Sequence, residues 1–309
     1  MDILLQQVIN GLVLGSVYAL IALGYTMVYG ILQLINFTHG EVLMVGAMIS
    51  MLVVQALLTL APAVPSALLL LLALAPAVLV CMVLSVLIER VAYRPLRRAP
   101  RLAPLITAIG LSITLQTLAM IFFSPNPMVF PELLPTEPIA IGGAYLAPKQ
   151  AVILLTSLAL MLALMALVQQ SRLGRAMRAV SESPQMAMLM GVDANRIVAI
   201  TFMLGAALAA VAGLSLALNY NIVHFTMGFI PGLKAFTAAV LGGIGNIPGA
   251  VVGGLLLGMI ESLGAGYIGD LTGGFLGSHY QDVFAFAVLI CVLIFRPSGL
   301  LGERVADRP

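Results

Sequence analysis

Residues 42–88 read VLMVGAMISMLVVQALLTLAPAVPSALLLLLALAPAVLVCMVLSVLI and contain no Asp, Glu, Lys or Arg. A helix needs about 20 consecutive apolar residues to cross a bilayer, so this stretch is long enough for two crossings. Pro62 and Pro65 divide it, which predicts one span near 42–61 and another at 66–88. The stretch therefore indicates a polytopic α-helical membrane protein.

Other uncharged runs extend this prediction over the rest of the chain. Apolar residues make up 61% of the sequence and charged residues 8%, whereas soluble domains carry about 25% charge. The runs are too continuous for the alternating strands of a membrane barrel. We expect a single all-α domain over 1–309, with about eight transmembrane helices plus a broken, re-entrant segment near 233–262. The further spans are expected near 8–31, 102–123, 150–169, 197–218 and 279–295.

The basic residues predict how the chain is oriented in the membrane. All except Lys149 and Lys234 lie in three segments, 89–101, 171–196 and 296–308. Loops rich in Lys and Arg stay in the cytoplasm, so we place these three segments there. The loops at 124–149 and 261–282 are then outside. The N-terminus is expected outside and the C-terminus in the cytoplasm.

The apolar stretch 233–260 is interrupted by LGGIGNIPG at 241–249. Its flanks are both expected outside, so we predict two half-helices, about 233–243 and 248–262, that enter the membrane and return. Broken helices often mark a transport path, because irregular backbone survives at this depth only inside protein or beside water. The alternative is two closely packed helices with a tight turn near the outer surface. The candidate path residues here are Gly242, Gly243, Gly245 and Asn246.

A second interruption, QLINFTHGE at 33–41, places Asn36, His39 and Glu41 beside long apolar runs. Ionisable groups at membrane depth are costly, so these residues are candidates for a translocation path. The alternative is an ordinary turn in which Thr38 caps the next helix and Glu41 completes a capping box.

The longest polar segment, at 171–196, reads SRLGRAMRAVSESPQMAMLMGVDANR. Its first arginines recur every third residue, which would form a basic stripe on a helix. Ser183 is a good N-cap before Pro184, and Gly191 is placed to end the short helix. Met186, Leu189 and Met190 would form an apolar face suited to a soluble partner, because Met side chains fit irregular grooves. The alternative is a loop that only follows the charge rule.

No motif in the sequence indicates catalysis. The chain lacks the glycine-rich phosphate loop that ends in Lys-Ser or Lys-Thr, and it lacks a zinc-protease helix motif. Its three histidines, at 39, 224 and 279, are scattered, and the net charge of +2 does not indicate a nucleic acid partner. We expect no enzymatic activity, no cofactor and no nucleic acid.

Several long motifs resemble those of a known family, the LivH-type permease subunits of bacterial ABC importers for branched-chain amino acids. The resemblance covers nearly the whole chain. Its motifs are NGLVLGSVYALIALGYTMVYGILQLINFTHGE (10–41), IERVAYRPLR (88–97), GRAMRAVSESPQMAMLMGVDANRIVAITFMLGAALAAVAG (174–213), GLKAFTAAVLGGIGNIPGAVVGGLLLG (232–258) and RPSGLLG (296–302).

The resemblance implies an inner-membrane importer in which a periplasmic binding protein delivers Leu, Ile or Val. A second, homologous permease subunit would complete the path as a heterodimer, and two cytoplasmic ATPases would drive it. Segment 174–195 would contact an ATPase, with 182–191 at its centre. The ATPase-coupling residues implied are Glu182, Ser183, Pro184, Met186, Leu189, Met190 and Gly191.

Two other functions stay open on the sequence alone. Similar permeases are associated with urea and short amides, so the substrate is not settled. A channel or gradient-driven transporter that moves a proton through His39 and Glu41 is the alternative from a different class.

Overall fold

The structure, a computed structural model, describes residues 2–97, 99–100, 102–272, 280–296 and 298–302. The described residues are mostly helical. The helices are α1 Asp2–Leu32, α2 His39–Leu60, α3 Ser66–Ile88, α4 Arg94–Leu96, α5 Leu102–Phe122, α6 Pro148–Gln170, α7 Arg172–Glu182, α8 Pro184–Leu189, α9 Ala194–Tyr220, α10 Phe229–Gly242, α11 Ile247–Leu271 and α12 Gln281–Phe295. A π-helical turn, Glu89–Tyr93, joins α3 to α4, so that they form one span.

Seven of these helical stretches are long and apolar enough to cross a membrane, and α10 and α12 are shorter apolar helices. This confirms the predicted all-α polytopic fold. The predicted span at 8–31 lies within α1, and the described part of the span predicted at 279–295 is α12.

Two small antiparallel sheets lie in the connections. The strands are β1 Met128–Val129, β2 Ile139–Ile141, β3 Ala144–Leu146 and β4 Ile222–Val223. Strand β1 pairs with β4, and β2 pairs with β3 across a turn in which Gly142 and Gly143 have positive φ. The β1–β4 pair attaches the loop after α5 to the segment that follows α9.

Helix α1 is the centre of the bundle. In an 18-residue apolar segment of α1, 89% of the residues are buried, compared with 17% in the corresponding segment of α5. Helix α1 packs against α2, α6, α9, α10 and α11. Helices α3, α5 and α6 lie at the periphery and leave large apolar side chains exposed, as expected of helices that face lipid. The exposed side chains include Leu71, Leu79, Ile106, Phe122 and Leu155.

Glycines bring α1 and α11 into backbone contact. A Cβ atom placed on Gly258 would overlap the backbone of Gly15, and one on Gly254 would overlap Ala19. A Cβ on Gly15 would lie 2.8 Å from the Cα of Leu255. Small residues four apart allow helices to approach closely in a membrane, where van der Waals packing drives association.

The bundle has two ends that carry different groups. Helices α4 and α7 lie at the end where α1 finishes and α9 begins, and there Arg97 Nη1 donates to Asn195 Oδ1 over 2.8 Å. We call this the basic end. The opposite end, where α9 finishes and β1 pairs with β4, is called the strand end. Four of the basic residues used to predict orientation, Arg98, Arg101, Arg304 and Arg308, lie outside the described residues.

The predicted break in the 233–260 stretch is present at 243–246, but the second half-helix is wrong. Helix α10 is a short helix that ends at Gly242, whereas α11 continues to Leu271, a length of about 37 Å. Helix α11 is continuous through residue 262, and its glycine face packs along α1. The turn therefore lies beside Gly30, at the basic end of the bundle.

Replacing Gly258 with Leu tests the contact between α1 and α11. The added side chain would overlap α1 backbone, and overpacking a well-packed core costs typically about 1–3 kcal/mol. We expect a lower melting temperature of the purified protein in detergent and less protein in the membrane. The matched control is Gly110→Leu on α5, where the added Cβ meets nothing within 4 Å. Equal stability of the two variants would contradict the packing role.

Candidate functional site

The first turn of α2 lies inside the bundle rather than at its end. After α1 ends, the chain turns at Gln33, where φ is +54°, and folds back between the helices. His39 then lies against Gly24 of α1 and Gly205 of α9. Segment 24–32 of α1, about 12 Å of helix, extends beyond this level toward the basic end.

The N-terminal end of α10 meets the first turn of α2 at this depth. Segment 221–228 is not helical and leads from the strand end to the start of α10. A Cβ on Gly228 would overlap the carbonyl oxygen of Gly40, and Gly232 also packs on Gly40. The starts of these two helices therefore lie together inside the protein, where His39 N donates to Asn36 O over 3.1 Å and Phe229 N donates to Thr226 O over 3.2 Å.

A cavity of about 990 Å³ opens beside these two helix ends. It extends from Tyr220 and Ile222 at the strand end to Gly40 and Glu41. Its walls are mostly apolar, with a few polar groups, which is typical of small-molecule sites. The polar side chains on the wall are Tyr18, Tyr25, Glu41, Ser112, Gln116, Tyr220, His224, Thr226 and Lys234.

Glu41 is the one acidic residue among the described residues that line this cavity, and 1% of its surface is exposed. Its Oε1 accepts hydrogen bonds from Ser112 Oγ at 2.9 Å and Gln116 Nε2 at 2.8 Å. Its Oε2 has no hydrogen-bond partner among the described residues. The predicted capping box is wrong, because Thr38 makes no side-chain cap and Glu41 bonds to α5 instead.

Asn36 and His39 do not line the cavity, although they lie close to Glu41 in sequence. Asn36 Oδ1 accepts hydrogen bonds from Tyr93 Oη, at 2.8 Å, and from Thr38 Oγ1. The His39 ring packs edge-on against Tyr25, with 4.9 Å between ring centroids. The structure therefore places only Glu41 of this candidate group on the cavity wall.

The second candidate group lies at the basic end, away from the cavity. Gly242 packs against Gly249, and Gly243 packs against the described C-terminal segment. Asn246 caps α11 by accepting a hydrogen bond from Gly249 N at 3.0 Å. Gly245 has φ of +93°, and a Cβ placed on it would meet nothing within 4 Å. The structure thus does not bring the two groups of path candidates together.

A charge cluster near the cavity, in which Lys234 and Glu261 are buried and Asp282 is partly exposed, was not predicted from the sequence. Lys234 Nζ lies 2.7 Å from Glu261 Oε1 and 2.7 Å from Asp282 Oδ1, which joins α10, α11 and α12. Lys234 also lies over the Tyr18 ring, 5.7 Å from its centroid. The sequence does contain a sign of this pairing. Lys234 and Glu261 are isolated, oppositely charged residues at the two ends of one apolar run, and such charges in membrane helices usually pair.

The segment between α6 and α9 has the local structure that the sequence predicts. Ser183 Oγ accepts a hydrogen bond from Met186 N at 3.3 Å, so Ser183 caps α8. Gly191 has φ of +82° just after the helix, and Val192 N donates to Ala187 O at 3.0 Å. The predicted cap, short helix and glycine end are all confirmed.

Helix α8 leaves most of its apolar side chains uncovered. Met186, Leu189 and Met190 are 65%, 82% and 84% exposed, and within α8 itself only Ala187 is buried. By contrast, α7 buries Met177 and Val180 against the bundle. A contiguous apolar patch on a short helix at the basic end indicates an interaction surface.

The sequence is similar to those of known membrane permeases. The family model described as "Branched-chain amino acid transport system / permease component" matches residues 7–293. The chain is 47% identical to the high-affinity branched-chain amino acid transport system permease protein BraD of Pseudomonas aeruginosa, over 98% of this chain and 97% of that protein. It is 45% identical to the corresponding LivH protein of Escherichia coli K12, again over 98% of this chain and 97% of that protein.

Removing the Lys234 ammonium tests the charge cluster. Breaking a buried ion pair from one side costs about 3–5 kcal/mol, because the remaining charge loses its partner. We expect Lys234→Met to lower the melting temperature of the purified protein in detergent. The double variant Lys234→Met/Glu261→Gln should recover part of the loss, since it removes one of the orphaned carboxylates. A single variant as stable as the unmodified chain would contradict this arrangement.

Proposed function

The chain belongs to the family of permease components of branched-chain amino acid transport systems, and on that premise we propose that it is the membrane permease subunit of an ATP-driven importer of Leu, Ile and Val. The observation that carries the proposal is the match to high-affinity permeases over 98% of the chain. The subunit itself does no chemistry, and partner ATPases supply the energy.

The cavity beside α2 and α10 supports the translocation part of the proposal. Its volume of about 990 Å³ is sufficient for a small amino acid, and its apolar wall suits a branched aliphatic side chain. Ile113, Phe229 and Ile230 on its rim are 59%, 48% and 48% exposed. We infer that a second, homologous permease subunit covers this rim and completes the path.

Among the path residues proposed from the sequence, Glu41 is the one we assign to the wall of the path. Asn36 and His39 act through packing, because they hold the turn before α2 against Tyr93 and Tyr25. The glycines and Asn246 at 242–246 permit the sharp turn between α10 and α11. These positions influence transport through the shape of the bundle.

The exposed face of α8 is the proposed contact with an ATPase. Met side chains are unbranched and adapt to grooves, which suits a partner that changes shape with ATP binding. Closing of the ATPase pair would move α8 together with α7, which packs on α1, α6 and α9. The bundle would then alternate access to the cavity by rigid-body motion. The contact set is Glu182, Ser183, Pro184, Met186, Leu189, Met190 and Gly191.

This assignment gives the protein an orientation in the bacterial inner membrane. The basic end, with α4, α7 and α8, faces the cytoplasm, following the positive-inside rule. Helix α1 begins at the strand end, where Gln6 Nε2 donates to the carbonyl of Tyr145 in β3. The N-terminus is therefore periplasmic, and the strand end is where a periplasmic binding protein would deliver substrate.

Co-purification and reconstitution test the proposal. The tagged chain, extracted from native membranes in mild detergent, should bring down an ATPase, a second permease and a periplasmic binding protein. Proteoliposomes containing that complex should take up L-leucine only with ATP inside and the binding protein outside. Leucine uptake driven by a proton gradient alone would favour a gradient-driven transporter. Uptake of urea or a short amide instead of leucine would contradict the proposed substrate.

The double variant Met186→Asp/Met190→Asp tests the ATPase contact. Two charges on the exposed face of α8 would have to be buried without partners at the interface, which is costly. We expect loss of ATPase recovery and of uptake, with normal amounts of folded permease. The matched control is Gln185→Asp, which adds a charge to the same helix without removing an apolar side chain. Normal ATPase recovery with the double variant would contradict the assignment.

A further inference from the structure

We propose that Glu41 binds the α-ammonium group of the transported amino acid. The inference rests on the proposed function, because it assigns contacts within the same cavity. It adds a substrate-recognition site to the permease itself.

The first argument is the unused bonding capacity of Glu41. A carboxylate accepts about four hydrogen bonds, and the two from Ser112 and Gln116 both go to Oε1. Oε2 has no partner among the described residues, although the side chain is 99% removed from solvent. Burying a carboxylate without compensating charge is costly. A substrate ammonium group would supply that charge together with a hydrogen bond.

The second argument is a comparison with the other buried acidic residues. The described part of the chain buries three glutamates, Glu41, Glu89 and Glu261. Glu89 pairs with Arg97, and Glu261 pairs with Lys234. None of the ion pairs in the described residues includes Glu41. Glu41 is also the one of the three that lines the cavity.

The third argument concerns the lysine on the cavity wall. Lys234 lines the cavity, but its ammonium already contacts two carboxylates, Glu261 and Asp282, so this cluster has no surplus positive charge. The lysine on the wall therefore supplies no counter-charge to Glu41.

The remaining wall fits the rest of such a substrate. Ile109, Ile113, Leu216 and Met227 line the same cavity and offer an apolar surface for a branched side chain. Urea and short amides carry no ammonium group that would compensate the charge of Glu41. The proposed contacts therefore favour amino acids over uncharged amides in the permease itself.

Equilibrium binding of tritiated L-leucine to the detergent-purified membrane complex, without the binding protein, tests the inference. Glu41→Gln keeps an Oε1 acceptor for Ser112 and Gln116 and removes the charge. We expect binding to weaken by about tenfold or more, the usual effect of losing one charge-assisted hydrogen bond. Glu137→Gln, which removes an exposed carboxylate from the loop before β2, should bind as the unmodified complex does.

The unmodified complex provides a test that needs no variant. 4-Methylpentanoate, which is leucine without its ammonium group, should compete with leucine about tenfold or more less well. Equal competition, or unchanged leucine binding by Glu41→Gln, would overturn the inference. Absence of saturable binding in a complex that transports leucine would also overturn it. A complex that transports no branched-chain amino acid would instead reject the proposed function.

Discussion

The backbone contact between α1 and α11 is the constraint on which the positions of the other helices depend. Lipid tails are as apolar as the side chains, so helices in a bilayer are held together by close packing and not by exclusion of water. Gly15 and Gly258 remove the side chains that would separate the two helices. Once α11 lies along α1, the turn at 243–246 must lie at the basic end, and α10 must return beside α11.

A consequence of this arrangement is that two helices begin inside the bundle. Irregular backbone at this depth requires partners within the protein. Gly40 and Gly228 meet this requirement by packing the start of α2 directly against the segment before α10. The space that the short α10 leaves toward the strand end becomes the cavity. The candidate binding site therefore lies beside the contact between these two glycines.

The buried glutamates differ in whether they have an oppositely charged partner. Glu261 is neutralised by Lys234, and Glu89 by Arg97, so both hold elements together. Glu41 is held by two neutral donors of α5 and retains a free oxygen. Helix α9 begins a few residues after α8 and ends at Tyr220 on the cavity wall, so one rigid element joins the proposed ATPase contact to the proposed path.

The sequence by itself determined the helical membrane class, most of the spans and the local form of α8, because uncharged length and capping residues act locally. It located the break within 241–249 for the same reason. Only the tertiary structure decided that α11 continues to Leu271, that Lys234 pairs with Glu261, and that Glu41 bonds to α5 instead of capping α2. These features depend on contacts between segments distant in sequence, and periodicity along one helix carries no information about which helix lies opposite.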